Sequence, residues 1–175
     1  MAAAAAAAVD ETPLRVRVLE AIPGRRAHVV LYTVPRAKPR PRAMTTRAGR
    51  LIVYSPSTAA EAKLRAALSA ALRDAGFTQP ITESVIVSMK FIFARKGRRT
   101  TTPIPPAPPT HAQGSADIDN IMKTYLDVAN GVLFADDKQV VSITAAKLSE
   151  EVSPADEHPD HTARVVFHVD AAAAV

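Results

Sequence analysis

"ADIDNIMKTYLDVANGVLFADDKQVVSITAAKL", residues 116–148, changes its periodicity once, and that change decides the fold. Ile118, Ile121, Met122, Tyr125, Leu126, Ala129, Val132 and Leu133 recur at helical spacing, the signature of one apolar helix face. Asn130-Gly131 can break that helix or turn the chain out of it. "KQVVSITAAKL" then reads as a strand. Asp117 and Asp119 stand at the mouth of the helix, Asp136 and Asp137 beyond its far end. Either these are ordinary helix-end residues, or the helix holds apart the pieces of one acidic site.

Upstream, "ESVIVSMKFIFAR" is a long strand with Val85, Val87, Met89, Phe91 and Phe93 on one face and Ser88 and Lys90 on the other. "STAAEAKLRAALSAALRDAG" is a helix. Thr58 and Glu61 form a capping-box pattern, Leu64, Ala67, Leu68, Ala71 and Leu72 form its stripe, and Gly76 stands where a C-cap belongs. "AHVVLYTV" and "LIVY" read as strands, separated by "PRAKPRPRAMTTRAGR", whose three prolines forbid a helix or a central strand. Downstream, "SEEVSPADEHPDH" reads as a polar loop and "TARVVFHV" as a last strand. The order ββαβαββ implies one α+β domain, with two helices on one face of a mixed, mostly antiparallel sheet.

The chain has 175 residues, enough for one domain with a real core. The domain is expected over residues 27–170 with a proline-rich loop at 96–116. Residues 1–26 are expected as a disordered alanine-rich tail and 171–175 as a second tail. "MAAAAAAAVDET" lacks the basic start of a secretory signal; the arginines after it leave organelle targeting open. No run reaches the ~20 apolar residues of a membrane span. With no cysteine, disulfides and thiolate metal sites are excluded. A net charge of +5 and a pI near 9.8 suit a polyanionic partner.

Standing alone, Asp119 is a helix N-cap, since a carboxylate there accepts a backbone N–H and faces the helix dipole. Its surroundings argue for more. Asn120, Lys123, Asp127 and Asn130 share the polar face, and Lys123 can reach back to Asp119. A reversal after the helix can return the next strand, with Lys147 on it, beside Asp117. Two carboxylates ~5 Å apart at an effective dielectric of ~20 repel by roughly 3 kcal/mol. Such a site raises its pKa values or binds a cation, and all-oxygen ligands favour Mg²⁺ or Mn²⁺.

Arg36, Lys38, Arg40, Arg42, Arg47 and Arg50 crowd one loop with no acid between them; Arg95, Lys96, Arg98 and Arg99 crowd another. Solvated loops would explain either cluster alone. Together with an acidic site they fit a nuclease, with cations on the backbone and a metal at the cut. Neutralising six duplex phosphates would give a log–log salt slope of about −5. His158 and His161 read as an exposed turn, His111 has no assigned role, and Tyr54 and Tyr125 read as core or rim aromatics.

This set resembles the RusA family of Holliday junction resolvases. The matching positions, in order, are Asp117, Asp119, Asn120, Lys123, Asp127, Asp136, Asp137, Gln139 and Lys147. Upstream, "KPRPR" before a tyrosine-containing strand and "SPST" before a helix are also similar, and the resemblance runs from about Ala27 to Val169. It implies a RusA-like fold and a Mg²⁺-dependent endodeoxyribonuclease, with Mn²⁺ as a substitute. It also implies a homodimer that nicks four-way DNA junctions symmetrically in recombination and repair, in the cytoplasm at the nucleoid. Carried over by position, Asp117, Asp119 and Asp137 are the catalytic metal carboxylates, Asp136 a fourth, and Lys123 the lysine near the scissile phosphate. Spacing alone does not separate Asp136 from Asp137. The DNA contacts expected are Lys38, Arg40, Arg42, Arg47, Arg98, Arg99 and Lys147. The long proline loop and alanine tails depart from the family pattern and leave open which loops touch DNA. Two other readings keep parts of this: a metal-dependent nuclease or phosphohydrolase on another nucleic acid, and a non-enzymatic DNA-binding protein.

Overall fold

The computed structural model describes residues 14–38, 42–54, 58–96, 110–111, 116–152 and 163–172. In chain order these form β1 (Arg15–Ile22), β2 (Arg26–Tyr32), β3 (Arg42–Thr45), β4 (Leu51–Tyr54), α1 (Thr58–Asp74), β5 (Val85–Lys96), β6 (Thr110–His111), α2 (Ile118–Ala129), a 3₁₀ turn (Asp137–Gln139), β7 (Val140–Val152) and β8 (Arg164–Ala171). A six-stranded sheet runs β1-β2-β8-β5-β7-β6, and β3 and β4 form a separate two-stranded sheet. Among the described strands only β5 and β7 pair in parallel, and α2 lies in the connection between them. The fold is α+β with a mixed sheet and two helices, as the sequence implies.

One sheet face carries the core. Ala27, Val29 and Leu31 of β2, Val85, Val87, Met89 and Phe91 of β5, and Val165, Phe167 and Val169 of β8 are buried against Leu64, Leu68 and Leu72 of α1 and Ile121, Tyr125 and Val128 of α2. The period-two pattern of the strands meets the i, i+4 pattern of the helices there. The Phe91 and Tyr125 rings meet tilted at 37°, with 5.6 Å between centroids. Tyr125 is a core aromatic, its phenol pushed up to about 12 by burial.

The ends of α1 follow its sequence. Gly76 takes φ 81° just past the helix; its N–H bonds the Arg73 carbonyl, and the Phe77 N–H bonds the Leu72 carbonyl. This is a Schellman closure, and it turns Phe77 into the core.

Several expectations need correction. Ala171, expected in the C-terminal tail, closes β8 opposite Val85, and the basic segment read as a loop holds β3. The tail expected up to residue 26 contains β1, antiparallel to β2. Its alternation was masked because Arg15 and Arg17 take the exposed positions, while Val16 and Val18 pack partly on the core. The α2 stripe ends at Ala129, so Val132 and Leu133 belong to the turn after it, while Val128 joins the buried face. β7 runs on to Val152, through residues expected in the polar loop, because β5 pairs with it as far as Lys96. Within the expected proline-rich loop, Thr110 and His111 pair with Ser149 and Leu148. Arg40, Arg98, Arg99, His158 and His161 lie outside the described residues, as does residues 1–13 of the tail.

Candidate nuclease site

The N-terminus of α2 carries the first half of the acidic set. Asp117, not Asp119, is its N-cap, with φ −69° and ψ 140°, and the Ile121 N–H bonds the Asp117 carbonyl. The Asp117 carboxylate makes no capping bond. The ordinary reason for an aspartate at this position is therefore absent, and the residue is exposed. Asp119 sits in the first turn, with Lys123 Nζ 3.3 Å from its Oδ2 one turn on. Both side chains are more than half exposed (57% and 59%), so the pair adds at most about 0.5 kcal/mol to stability.

β7 does return to this place, through Lys147. Its Nζ donates to the Ala116 carbonyl at 2.6 Å, immediately before Asp117. In register Lys147 lies beside Phe91, on the helix-bearing face of the sheet. Expected as a DNA contact, Lys147 spends one of its donors on the segment that presents Asp117.

The second acidic pair lies elsewhere. Asp136 is the N-cap of the 3₁₀ turn: its Oδ1 accepts the Lys138 N–H at 3.0 Å, and its own N–H donates to Gln139 Oε1 at 2.7 Å. The Lys138 N–H holds the Asp136 carboxyl below the usual carboxylate range. Asp137 follows in the first turn and is exposed. Gln139 Nε2 donates to the carbonyls of Ile81 (3.2 Å) and Glu83 (2.7 Å), which ties the turn to the start of β5. Asp136 thus has a local structural task, and Asp137 stands beside it without a cap to make.

The twelve residues of α2 separate the two pairs by roughly 18 Å at ~1.5 Å per residue. The strands agree. The turn leads into Val140, level with Val85, whereas Lys147 is level with Phe91, about 20 Å further along β5. The expected return of the chain thus brings Lys147 to Asp117 and leaves Asp136 and Asp137 at the other end. Among the described residues, no group of three or more histidine, aspartate or glutamate side chains is placed to hold a metal ion.

The basic residues divide similarly. Lys38 pairs with Asp127, which raises its pKa, and its backbone N–H bonds the Asn120 carbonyl at 3.1 Å. The basic segment after β2 is thus strapped along the polar face of α2. Arg42 begins β3, and Arg47 is exposed in the turn between β3 and β4. The sequence reading missed Arg65. From α1 its guanidinium donates to the Asn130 carbonyl at 2.8 Å and to the Asp127 carbonyl, covering the last turn of α2. A cation there also meets the negative end of the helix dipole. More than sixty residues separate Arg65 from these carbonyls, so no local pattern could reveal the contact.

Among the described residues, no helix is long and apolar enough to cross a membrane. A search of curated proteins returned no match. Residues 33–155 match the family model described as Endodeoxyribonuclease RusA. The matched region holds the whole polar face of α2, both acidic pairs and the basic segment strapped to that helix. With the match covering well over half its length, the chain belongs to the RusA endodeoxyribonuclease family, and it is a nuclease with DNA as its substrate.

Proposed function

We propose that this nuclease resolves four-way DNA junctions by paired nicks, with Mg²⁺ as its cofactor and Mn²⁺ as a substitute, acting as a homodimer in recombination and repair. The observation that carries the reading is the mouth of α2. The Asp117 carboxylate is free of any capping task, and Asp119 stands beside it with Lys123 in contact. Lys123 is the cation suited to balance charge on a scissile phosphate.

The donor chemistry fits a hard cation, because every candidate ligand is a carboxylate oxygen. The lack of a three-carboxylate cluster does not conflict with this. Mg²⁺ commonly keeps several waters and takes one or two carboxylates plus substrate phosphates. Bound there, the ion would supply Lewis-acid polarisation of the phosphate and an activated water. Asp117 and Asp119 would hold it, with Asp137 the preferred third ligand and Asp136 occupied as a cap.

Separation of Asp137 from Asp117 within one chain gives dimerisation a physical reason. A two-fold assembly that sets the Asp137 end of one copy against the α2 mouth of the other brings all three carboxylates together twice. Two sites related by a two-fold axis also suit a junction with the same symmetry.

The test is cleavage of a synthetic four-way junction beside a matched linear duplex, with Mg²⁺, with EDTA, and with Asp119→Asn. Symmetric nicks on the junction alone, lost with EDTA and in the variant, are expected. Equal cutting of both DNAs would leave a general nuclease; binding without cutting in any divalent metal would remove the enzymatic reading. Mixing Asp119→Asn with Asp137→Asn tests the shared site. Nicking recovers in the mixture if each site draws on two copies, and stays absent if each chain builds its own.

A further inference from the structure

We propose that the β3–β4 hairpin is an apolar wedge that enters the branch point of the DNA and gives the enzyme its preference for branched over linear substrate. This rests on the reading of the chain as a junction nuclease.

The hairpin pairs with no other described strand. A lone two-stranded ribbon is marginal in water and gains from a partner. It nevertheless exposes three large apolar side chains: Met44 (51%), Leu51 (65%) and Ile52 (41%). Their placement is informative. Met44 lies opposite Ile52, and Leu51 lies opposite Thr45. Successive strand residues point to opposite faces, so Met44 and Ile52 cover one face and Leu51 the other. A patch built to dock on a protein surface would be apolar on one side. A ribbon apolar on both sides fits the opening between stacked arms at a branch point, where its apolar side chains can wedge against exposed base faces on either side.

Charge selects the same occupant. Arg47 and Arg50 are exposed in the turn, and the sequence holds no acid between Glu20 and Glu61. A two-fold contact through the turn would set these arginines against their equivalents, whereas phosphates would neutralise them. The turn is well formed, with the Thr46 N–H bonding the Arg50 carbonyl at 2.8 Å and the Arg50 N–H bonding Thr46 Oγ1 at 3.1 Å. Just upstream, Lys38 straps the segment leading into β3 to Asn120 and Asp127 of α2. The hairpin is therefore tethered to the helix that carries Asp119 and Lys123. At a four-way branch point the run of stacked bases is interrupted, so a wedge has the least stacking to break there.

The test uses the full chain and a junction carrying 2-aminopurine at its centre, with a matched duplex as control. Wild-type protein should raise the 2-aminopurine fluorescence, reporting unstacking. The triple variant Met44→Ser, Leu51→Ser, Ile52→Ser should lose that rise, and its preference for junction over duplex should fall about tenfold. Its affinity for linear duplex should stay within about twofold, since phosphate contacts dominate there. Leu51→Ser alone, which leaves the Met44–Ile52 pair intact, should lose part of the rise and covers the case in which the triple variant misfolds. Arg47→Gln with Arg50→Gln should weaken both DNAs alike and flatten the salt dependence. A triple variant that keeps the fluorescence rise and the preference would overturn the wedge. So would a variant that becomes monomeric where wild type is dimeric, since the hairpin would then join copies of the chain. A wild-type protein with no junction preference would instead overturn the underlying reading of the enzyme.

Discussion

Lys147 Nζ donates to the Ala116 carbonyl across 2.6 Å, joining the strand β7 to the residue that precedes the uncapped aspartate of α2. The bond ties the entry of the helix to the sheet one residue before Asp117. Lys147→Met removes the donor while keeping most of the stem. Cleavage should fall about 10- to 100-fold, the range seen when a partner supporting a ligand is lost. Junction affinity should fall much less. Single-turnover cleavage beside a binding titration separates the two; a loss confined to binding would make Lys147 a simple phosphate contact.

The exposed Asp119–Lys123 pair separates chemistry from stability. Lys123→Ala should change unfolding free energy by less than about 0.5 kcal/mol. The same variant should lose at least about 100-fold in cleavage rate if Lys123 balances transition-state charge. Urea denaturation and single-turnover kinetics on one preparation decide it.

Asp136 and Asp137 are adjacent in sequence and should behave oppositely. Asp136→Ala removes the cap of the 3₁₀ turn and should destabilise the protein by about 1 kcal/mol while retaining substantial cleavage. Asp137→Ala breaks no cap, so the fold should hold while cleavage collapses. Thermal melts with the junction assay would show whether the two effects segregate; equal loss of activity in both variants would mean that both carboxylates serve the site.

Arg65→Met strips the guanidinium from the last carbonyls of α2. These groups can regain water, so the expected cost is about 1 kcal/mol. The loss should appear as a lower urea midpoint with an unchanged slope.

On the sheet face away from the helices, His28 and His168 lie opposite each other on β2 and β8, their ring centroids 5.1 Å apart. Burial, then the neighbouring His168, lowers the His28 pKa from 6.5, with Glu20 opposing and Lys90 adding to the shift. The folded state resists protonation at His28 more than the unfolded chain does. Its contribution is intact above pH 6.5 and is lost as pH falls from 6.5 through the lowered folded value. Stability measured from pH 8 down to pH 5 should therefore decline in wild type and decline less in His28→Gln.

Most of the scaffold was legible from local pattern. Period-two alternation in Val85–Phe93 and helical spacing in Leu64–Leu72 reflect burial on one face, and burial is written residue by residue. The strand β1 escaped because arginines at its exposed positions resemble a charged tail, and only pairing with β2 reveals the alternation as structure. The aspartates were visible in the sequence as a pattern, because they stand at both ends of one helix.

Their division of labour was not. In the folded chain Asp136 caps a 3₁₀ turn, whereas Asp117 is an N-cap whose side chain makes no capping bond. That difference depends on where a backbone N–H points, which spacing does not encode. The joining of Lys147 to Ala116, Arg65 to Asn130 and Lys38 to Asp127 spans dozens of residues each and follows only once the sheet register is set. The sequence by itself determined most of the residues that face the core and which side-chain types the polar remainder offers, because side-chain type and periodicity are local. Only the tertiary structure decided which of those groups meet, because distance across a packed sheet depends on strand order and register, and there the helix α2 proved to hold Asp117 and Asp137 apart.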